Sequence, residues 1–169
     1  MDQKFSGKVW KLPDDVDTDT IIAGRHGVIV DKKEMGMHCL ETLRPEFAST
    51  VQPGDIIVAG KNFGCGSSRE MAPESIAVNG VYCIVAKSFA RIFFRNGINN
   101  GMLLIESEDI PDYCGEGDIL TVEVNRKVSV NGKDFPIAKL PSNLFQIIQD
   151  GGLVANTIKR MKKQEGEGI

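Results

Sequence analysis

The sequence has little of what metal-centred or histidine-centred chemistry requires. Only two histidines are present, His26 and His38, and His38 falls inside a predicted helix, where we expect a structural role. The cysteines include no C-x-x-C pair and are dispersed along the chain at Cys39, Cys65, Cys83 and Cys114. Zinc and iron–sulfur sites need clustered ligands, so we expect this chain to bind no metal or cluster itself. Cys39 and Cys83 are predicted to be buried thiols.

An excess of basic charge and a long apolar run are also missing. The chain has 20 basic and 23 acidic residues and a net charge of −3, so it lacks the basic footprint of a nucleic-acid-binding protein. No apolar stretch reaches the length that spans a bilayer, and residues 1–10 lack the apolar core of a signal peptide. We therefore expect a cytoplasmic protein that binds neither nucleic acid nor membrane.

The residues that are present predict one mixed α/β domain. The 169 residues, 41% of them hydrophobic, are enough for a single core over residues 1–162, and the polar run 163–169 indicates a frayed tail. Apolar runs at Asp55–Ala59 and Val81–Ala86 flank a helix predicted over Ser68–Asn79. Strand, helix and strand in this order form a βαβ unit, whose two strands are parallel.

Other segments carry helix, strand and turn signals. Asp31 and Glu34 have the spacing of a capping box before a helix at 32–43. Pro73 falls past the first turn of its predicted helix, so we expect a kink there or two short helices that meet. Asn131-Gly132 is typical of a type I′ hairpin turn. The remaining predicted strands are Phe5–Leu12, Met102–Ile105, Ile119–Val124, Lys127–Val130 and Asp134–Ile137. The remaining predicted helices are Phe89–Phe94, Ser142–Gln149 with Ser142 as its cap, and Leu153–Lys162.

The segment between the first buried strand and its helix carries the chemistry. It reads Gly-Lys-Asn-Phe-Gly-Cys-Gly-Ser-Ser-Arg-Glu from Gly60 onwards. Gly64 and Gly66 allow a tight turn and a close approach to a ligand. The pair Ser67-Ser68 is predicted at a helix N-terminus, where free N–H groups favour an anion, and Arg69 adds a fork suited to a carboxylate. The segment therefore predicts an anion site that contains hydroxyl groups.

Other motifs fit this segment less well. Gly64-x-Gly66 after a strand is part of the dinucleotide-binding fingerprint, but Arg69 occupies the third glycine position and the expected acidic residue is missing. A G-x-S-x-G nucleophile elbow does not match either, and no histidine stands in a persuasive partner position. The alternative that stays open is that Ser67 only caps a helix.

An acidic turn over Asp14–Thr20 is the second candidate site. Its alternating aspartates could open a calcium-binding loop, but the sixth position is Thr20 and the twelfth is His26, where glycine and glutamate are required. We therefore reject calcium binding. Asp19 closely precedes the apolar pair Ile21-Ile22, so it is expected near core structure. Asp14 and Asp15 are expected to lie in a solvated acidic turn without a further role.

Three blocks of this sequence, in this order, resemble the small subunit of isopropylmalate isomerase (3-isopropylmalate dehydratase). They are Asp17-Thr-Asp-Thr-Ile21, Asn62-Phe-Gly-Cys-Gly-Ser-Ser-Arg-Glu70, and Ala86-Lys-Ser-Phe-Ala-Arg-Ile-Phe-Phe94 followed by Asn96. The resemblance covers nearly the whole chain, and the Gly-Ser-Ser-Arg-Glu block is highly specific. The compact length is similar to the shorter, archaeal-type small subunits of this aconitase superfamily.

The resemblance implies a fold, a partner and roles for individual residues. The fold would be a swivelling β/β/α domain with a mixed sheet, as in the aconitase C-terminal domain. The partner would be a large subunit that carries a [4Fe–4S] cluster. By position, Ser67 matches the catalytic base of the family, Ser68 and Arg69 its substrate ligands, and Asp19 its acidic active-site residue. The substrate would be a small dicarboxylate.

Substrate specificity is predicted from a departure from the family pattern. Short relatives often carry Tyr-Leu-Arg in the loop after the Thr-Asp block, where the arginine holds a third carboxylate. This chain has His26-Gly-Val28, so Val28 stands in place of that arginine, although Arg25 is nearby and the register could shift. An apolar side chain there favours an alkylmalate over citrate or homocitrate. Met71 replaces a histidine that is common after Arg-Glu.

The resulting interpretation is an isopropylmalate isomerase small subunit that acts in leucine biosynthesis. The alternatives within the class are the small subunit of a dehydratase for dimethylmalate or methylmalate (citraconate), and that of homoaconitase. The alternative from another class is a non-enzymatic carboxylate-binding domain, in which Ser67 and Arg69 act as a receptor.

Overall fold

A computed structural model describes residues 3–166 and contains one seven-stranded sheet in the order β4-β3-β2-β1-β5-β6-β7. The strands are β1 (Lys4–Lys11), β2 (Ile56–Ala59), β3 (Cys83–Ala86), β4 (Leu103–Glu106), β5 (Ile119–Glu123), β6 (Lys127–Val130) and β7 (Lys133–Pro136). The helices are α1 (Thr18–Ile21), α2 (Lys32–Met37), α3 (Phe47–Thr50), α4 (Met71–Val78), α5 (Arg91–Asn99), α6 (Ile110–Tyr113), α7 (Ser142–Gln149) and α8 (Leu153–Gly166).

The sheet is parallel on one side of β1 and antiparallel on the other. β1, β2, β3 and β4 run parallel, with Val9 opposite Ile56 and Ile56 opposite Cys83. All residues of β2 and β3 are buried, as expected for strands covered on both faces. β5, β6 and β7 form antiparallel hairpins, and in β6 buried residues alternate with half-buried ones. The predicted mixed α/β fold is therefore confirmed.

Several local predictions are confirmed by backbone geometry. Asp31 caps α2, because its side chain accepts a hydrogen bond from the Glu34 N–H at 2.8 Å. Asn131 and Gly132 both have positive φ, as a type I′ turn requires. Cys39 and Cys83 are buried.

The predicted helix over 32–43 is too long. α2 ends at Met37, and the chain then turns, because Leu40 adopts a left-handed conformation with φ 57°. The Leu40 N–H donates to the Ile21 carbonyl oxygen at 2.8 Å, a long-range hydrogen bond that a continuing helix would not allow. The predicted acidic turn is also partly helical, since Asp17 caps α1 by accepting from the Thr20 N–H.

The helix predicted from Ser68 begins three residues later, at Met71. Pro73 then falls in the first turn of α4, where the missing proline N–H has no helical partner to lose. The predicted position of Pro73 past the first turn is therefore wrong, and α4 is neither kinked by it nor divided into two short helices. Likewise, α5 begins at Arg91 and not at Phe89, because Phe89 is held in an extended bridge to Phe63.

The last two helices differ from prediction at their ends. Ser142 is the first residue of α7 and makes no capping hydrogen bond, so its assignment as the cap is wrong. α8 continues past Lys162 to Gly166, so most of the segment predicted as a frayed tail is helical, and residues 167–169 lie outside the described part. Across residues 3–166, no helix combines the length and the apolar character needed to cross a membrane.

Candidate functional site

The three sequence blocks meet at one edge of the parallel half of the sheet. The loops that follow β1, β2 and β3 leave their strands at the same edge, because the carboxyl ends of parallel strands point the same way. Backbone hydrogen bonds join these loops: Thr18 N–H donates to the Cys65 oxygen at 2.8 Å, and Ala90 N–H donates to the Phe63 oxygen at 2.9 Å. These hydrogen bonds therefore fix the backbones of the three loops relative to one another, and with them the positions from which the side chains project.

Gly64 allows the second loop to lie against the third. Its φ is +79°, a conformation that side-chain-bearing residues rarely adopt. A Cβ atom at Gly64 would also collide with the ring of Phe93 on α5. Phe63 and Phe93 pack edge to face with their ring centroids 5.2 Å apart, which fixes the position of this contact. The backbone of this second loop, residues 60–70 and named the serine loop here, is thus set by its packing on α5.

Ser67 is paired with a hydroxyl from the first block. Its Oγ lies 3.2 Å from the Oγ1 of Thr18, which is buried, whereas Ser67 itself is exposed. Because α4 begins at Met71, Ser67 and Ser68 do not lie at its first turn, and the predicted stabilisation of Ser67 by that helix N-terminus is wrong.

Arg69, predicted as a substrate ligand, and Asp19, predicted as an acidic residue of the site, lie together and form an ion pair. The guanidinium also approaches the backbone of the segment that follows α1, since a Cβ atom at Gly24 would stand 2.9 Å from both of its terminal nitrogens. In the chain alone, the positive charge of Arg69 is therefore already balanced by a carboxylate.

Ser68 and Val28 are placed differently from this pair. Ser68 is exposed and makes no side-chain hydrogen bond within residues 3–166. Val28 ends a 3-10 turn, Gly24–Val28, and is 85% exposed. Neither residue lines the cavity that opens beside Ser67, between the second and third loops, in the chain alone.

The 3-10 turn is held by Glu41. This carboxylate accepts from Arg25 Nη2 at 2.5 Å and contacts His26 Nε2 at 2.7 Å and His38 Nδ1 at 2.8 Å. The hydrogen bonds from His26 and then His38 lower the pKa of Glu41 to about 2. Arg25, which could have replaced the missing family arginine, is thus engaged by Glu41.

His26, His38 and Glu41 are the one group within residues 3–166 whose donor atoms are close enough to hold a metal ion. The two imidazole rings stack with centroids 3.8 Å apart and planes inclined by 14°. Their in-plane lone pairs therefore run side by side and do not converge on one point. The described geometry is that of an ion-pair network that anchors the turn.

A cavity of about 640 Å³ opens beside Ser67, between the second and third loops. Its lining includes Ser67 and two exposed arginines of α5, Arg91 and Arg95. Sequence reasoning did not assign a role to these arginines or to Thr18. Arg91 and Thr18 belong to the blocks that carry the family resemblance, but their side-chain positions depend on packing between distant loops.

The chain is similar to known proteins over most of its length. Residues 45–109 match the family model described as the aconitase C-terminal domain. The chain is 56% identical over 166 residues to the 3-isopropylmalate dehydratase small subunit of Lachnospira eligens, covering 98% of this chain and 99% of that protein. It is 48% identical over 151 residues to 3-isopropylmalate dehydratase small subunit 1 of Archaeoglobus fulgidus, covering 88% and 93%.

A solved structure is similar over the same extent. The crystal structure of 3-isopropylmalate dehydratase from Methanocaldococcus jannaschii superimposes with a TM-score of 0.92 at 38% sequence identity. The alignment covers 98% of this chain and 99% of that one. Sequence and backbone therefore agree over nearly the full length, including the three loops that form the site.

Proposed function

Because this chain belongs to the family of 3-isopropylmalate dehydratase small subunits, we propose that it is one half of a two-chain hydro-lyase. The reaction converts 2-isopropylmalate to 3-isopropylmalate by loss and re-addition of water, a step of leucine biosynthesis. The observation that carries the proposal is the family's Gly-Ser-Ser-Arg-Glu block, which the fold places at the carboxyl edge of the sheet beside the Thr18–Asp19 block. A cytoplasmic location is part of the proposal.

Ser67 is proposed to move the proton. Dehydration removes hydroxide from one carbon and a proton from its neighbour, which is next to a carboxylate. A serine alkoxide is a poor resting state in water, so it needs fixed donors and positive charge in a closed site. The Thr18 hydroxyl, 3.2 Å away, is placed to donate a hydrogen bond to Ser67 as the negative charge develops. Docking of a partner would exclude water from the exposed loop.

The partner is proposed to be a large subunit that carries the [4Fe–4S] cluster. The thiols of this chain are poor cluster ligands, because such ligands must be thiolates grouped around one site. Burial raises the pKa of Cys39 to about 12 and also raises that of Cys83. No two cysteines adjoin one another in sequence or share the serine loop. Hydroxide departure is therefore assigned to the partner.

Reconstitution tests this proposal directly. The purified chain alone should contain no stoichiometric iron and show no hydro-lyase turnover, whereas co-expression with the large subunit should give activity. The assay would follow hydration of isopropylmaleate, dimethylmaleate, citraconate, cis-aconitate and homoaconitate. Turnover by the chain alone would contradict the two-chain mechanism. Preference for another substrate would identify a different dehydratase, and binding without turnover on any substrate would indicate a carboxylate-binding domain.

Val28 is proposed to select an alkyl group over a third carboxylate. A charged carboxylate in a dry site without a partner would lose its hydration, at a cost of roughly several kcal/mol. Val28→Arg should therefore lower kcat/KM for 2-isopropylmalate and raise it for tricarboxylates, so that the ratio shifts by about tenfold or more.

The control for this variant is Val30→Arg, two residues further along. Val30 is 94% exposed and lies beyond the 3-10 turn, so the same charge is added nearby without entering the proposed specificity position. If both variants leave the ratio of the two kcat/KM values unchanged, Val28 does not face the substrate in the complex.

A further inference from the structure

We propose that Arg91 and Arg95 form the binding site for one substrate carboxylate beside Ser67. This inference rests on the proposed function, because it takes the substrate to be an alkyl-substituted dicarboxylate. It assigns a role to the third sequence block, part of which lies in α5 and for which the family resemblance implied no function.

Both arginines lack a counter-charge in the chain alone. Among the arginines of residues 3–166, four form ion pairs: Arg25 with Glu41, Arg44 with Glu46 and Glu116, Arg69 with Asp19, and Arg126 with Glu123. Arg91 and Arg95 make no ion pair or side-chain hydrogen bond with a described residue. The third such arginine, Arg160, lies on the surface of α8.

The positions of Arg91 and Arg95 in α5 are electrostatically unfavourable without an anion. The residues are four apart, so their charges lie on the same face of the helix and repel each other. Arg91 is also the first residue of α5, where the positive end of the helix dipole opposes a cation. No acidic residue stands in the first turn of this helix to offset either effect. An anion bound between the two side chains would relieve both.

The cavity that Arg91 and Arg95 share with Ser67 indicates that the bound anion is a substrate carboxylate. Arg91, Arg95 and Ser67 line the same space of about 640 Å³, so a ligand held by the arginines lies next to the proposed base. Arg69 is neutralised by Asp19, which leaves the α5 arginines as the uncompensated positive charges at this site. Ala90 and Ile92 add apolar surface to the lining of the same cavity, which suits a dicarboxylate with an alkyl group.

The positive charge of Arg91 and Arg95 also stabilises a negative charge on Ser67, which the first turn of α4 does not do. Two unpaired guanidinium groups raise the electrostatic potential in the cavity, and this favours the alkoxide over the hydroxyl. Once a substrate carboxylate is bound between them, the carbon next to that carboxylate is held near Ser67. Arg91 and Arg95 are therefore substrate-binding residues that also favour the charged form of the base.

The test uses Arg91→Gln, Arg95→Gln and the double variant in the enzyme reconstituted with its large subunit. Glutamine keeps the length and some hydrogen-bonding capacity but removes the charge. We expect KM for 2-isopropylmalate to rise about tenfold or more in the double variant, the scale of losing one charge-assisted contact. The thermal midpoint and the dissociation constant between subunits should stay unchanged. Arg160→Gln, the matched control, should behave as wild type.

An unchanged KM of the double variant at saturating large subunit would overturn the inference. If the subunit dissociation constant were raised at the same time, the arginines would bind an acidic surface of the partner and not the substrate.

Failure of the proposed function gives a different result. If the wild-type complex turns over no alkylmalate, the reaction assignment is wrong, and the arginine site is decided by titrating the chain with 2-isopropylmalate in an NMR experiment. Saturable shifts of the Arg91 and Arg95 Nε–H signals, lost in the double variant, would support the site. Their absence would overturn it.

Discussion

Ser67→Ala is expected to reduce kcat of the reconstituted enzyme by at least about 10²- to 10⁴-fold, the usual contribution of a positioned proton-transferring group. The folded state should be little affected. Ser67 is exposed, and its side chain makes a single hydrogen bond, to Thr18, so the loss of stability should be at most about 1 kcal/mol. Steady-state kinetics with the large subunit and thermal unfolding of the chain alone separate the two effects.

The neighbouring hydroxyl supplies the control for this variant. Ser68→Ala removes the same group one residue away, in an equally exposed position that makes no side-chain hydrogen bond with a described residue. If Ser68 only binds substrate, its variant should raise KM and keep most of kcat. Retention of most of the wild-type kcat by Ser67→Ala would show that the base is another group.

Thr18 offers an intermediate case. Thr18→Val keeps the shape of a buried β-branched side chain but removes the hydroxyl that contacts Ser67. We expect the double variant, Thr18→Val with Ser67→Ala, to lose hardly more kcat than Ser67→Ala alone, because groups that act as a unit lose activity in a strongly non-additive way.

The parallel half of the fold could be predicted because its signals are local. Within the predicted strands, Ile56–Ala59 and Cys83–Ala86 are apolar throughout, as strands covered on both faces must be, and the structure buries all of β2 and β3. Asn131-Gly132 likewise fixes its turn by its own backbone preference. In both cases the residues that carry the signal are the ones that adopt the conformation.

Predictions failed where a distant contact decides the local structure. The predicted helix over 32–43 ends early, because the backbone N–H of Leu40 donates a hydrogen bond to the Ile21 carbonyl oxygen. Phe89 stays extended because it forms a β-bridge with Phe63. Neither partner is visible from the helical spacing of the residues concerned. The same limit applies to the site, where the residues of the motif were predicted but the partner of Ser67 was not. Thr18 reaches Ser67 only because β1 and β2 are parallel neighbours.

Gly64→Ala is expected to destabilise the chain by about 2–5 kcal/mol. The left-handed backbone costs a side-chain-bearing residue about 1–2 kcal/mol, and the collision with Phe93 adds overpacking of about 1–3 kcal/mol. Such a loss is a large part of the 5–15 kcal/mol that stabilises a typical domain. Urea unfolding of the variant, followed by circular dichroism, measures it.

Gly54→Ala separates the two causes. Gly54 also has positive φ, at 92°, but a Cβ atom there would have nothing within 4 Å, so its variant should lose only the backbone contribution of about 1–2 kcal/mol. A double variant, Gly64→Ala with Phe93→Leu, should lose less than the sum of its single variants, because a smaller side chain at position 93 relieves the collision. Equal losses for Gly64→Ala and Gly54→Ala, with additive behaviour of the double variant, would mean that contact with α5 does not set the position of the serine loop. The loop would then owe its shape to its own backbone and to its hydrogen bonds with the first block.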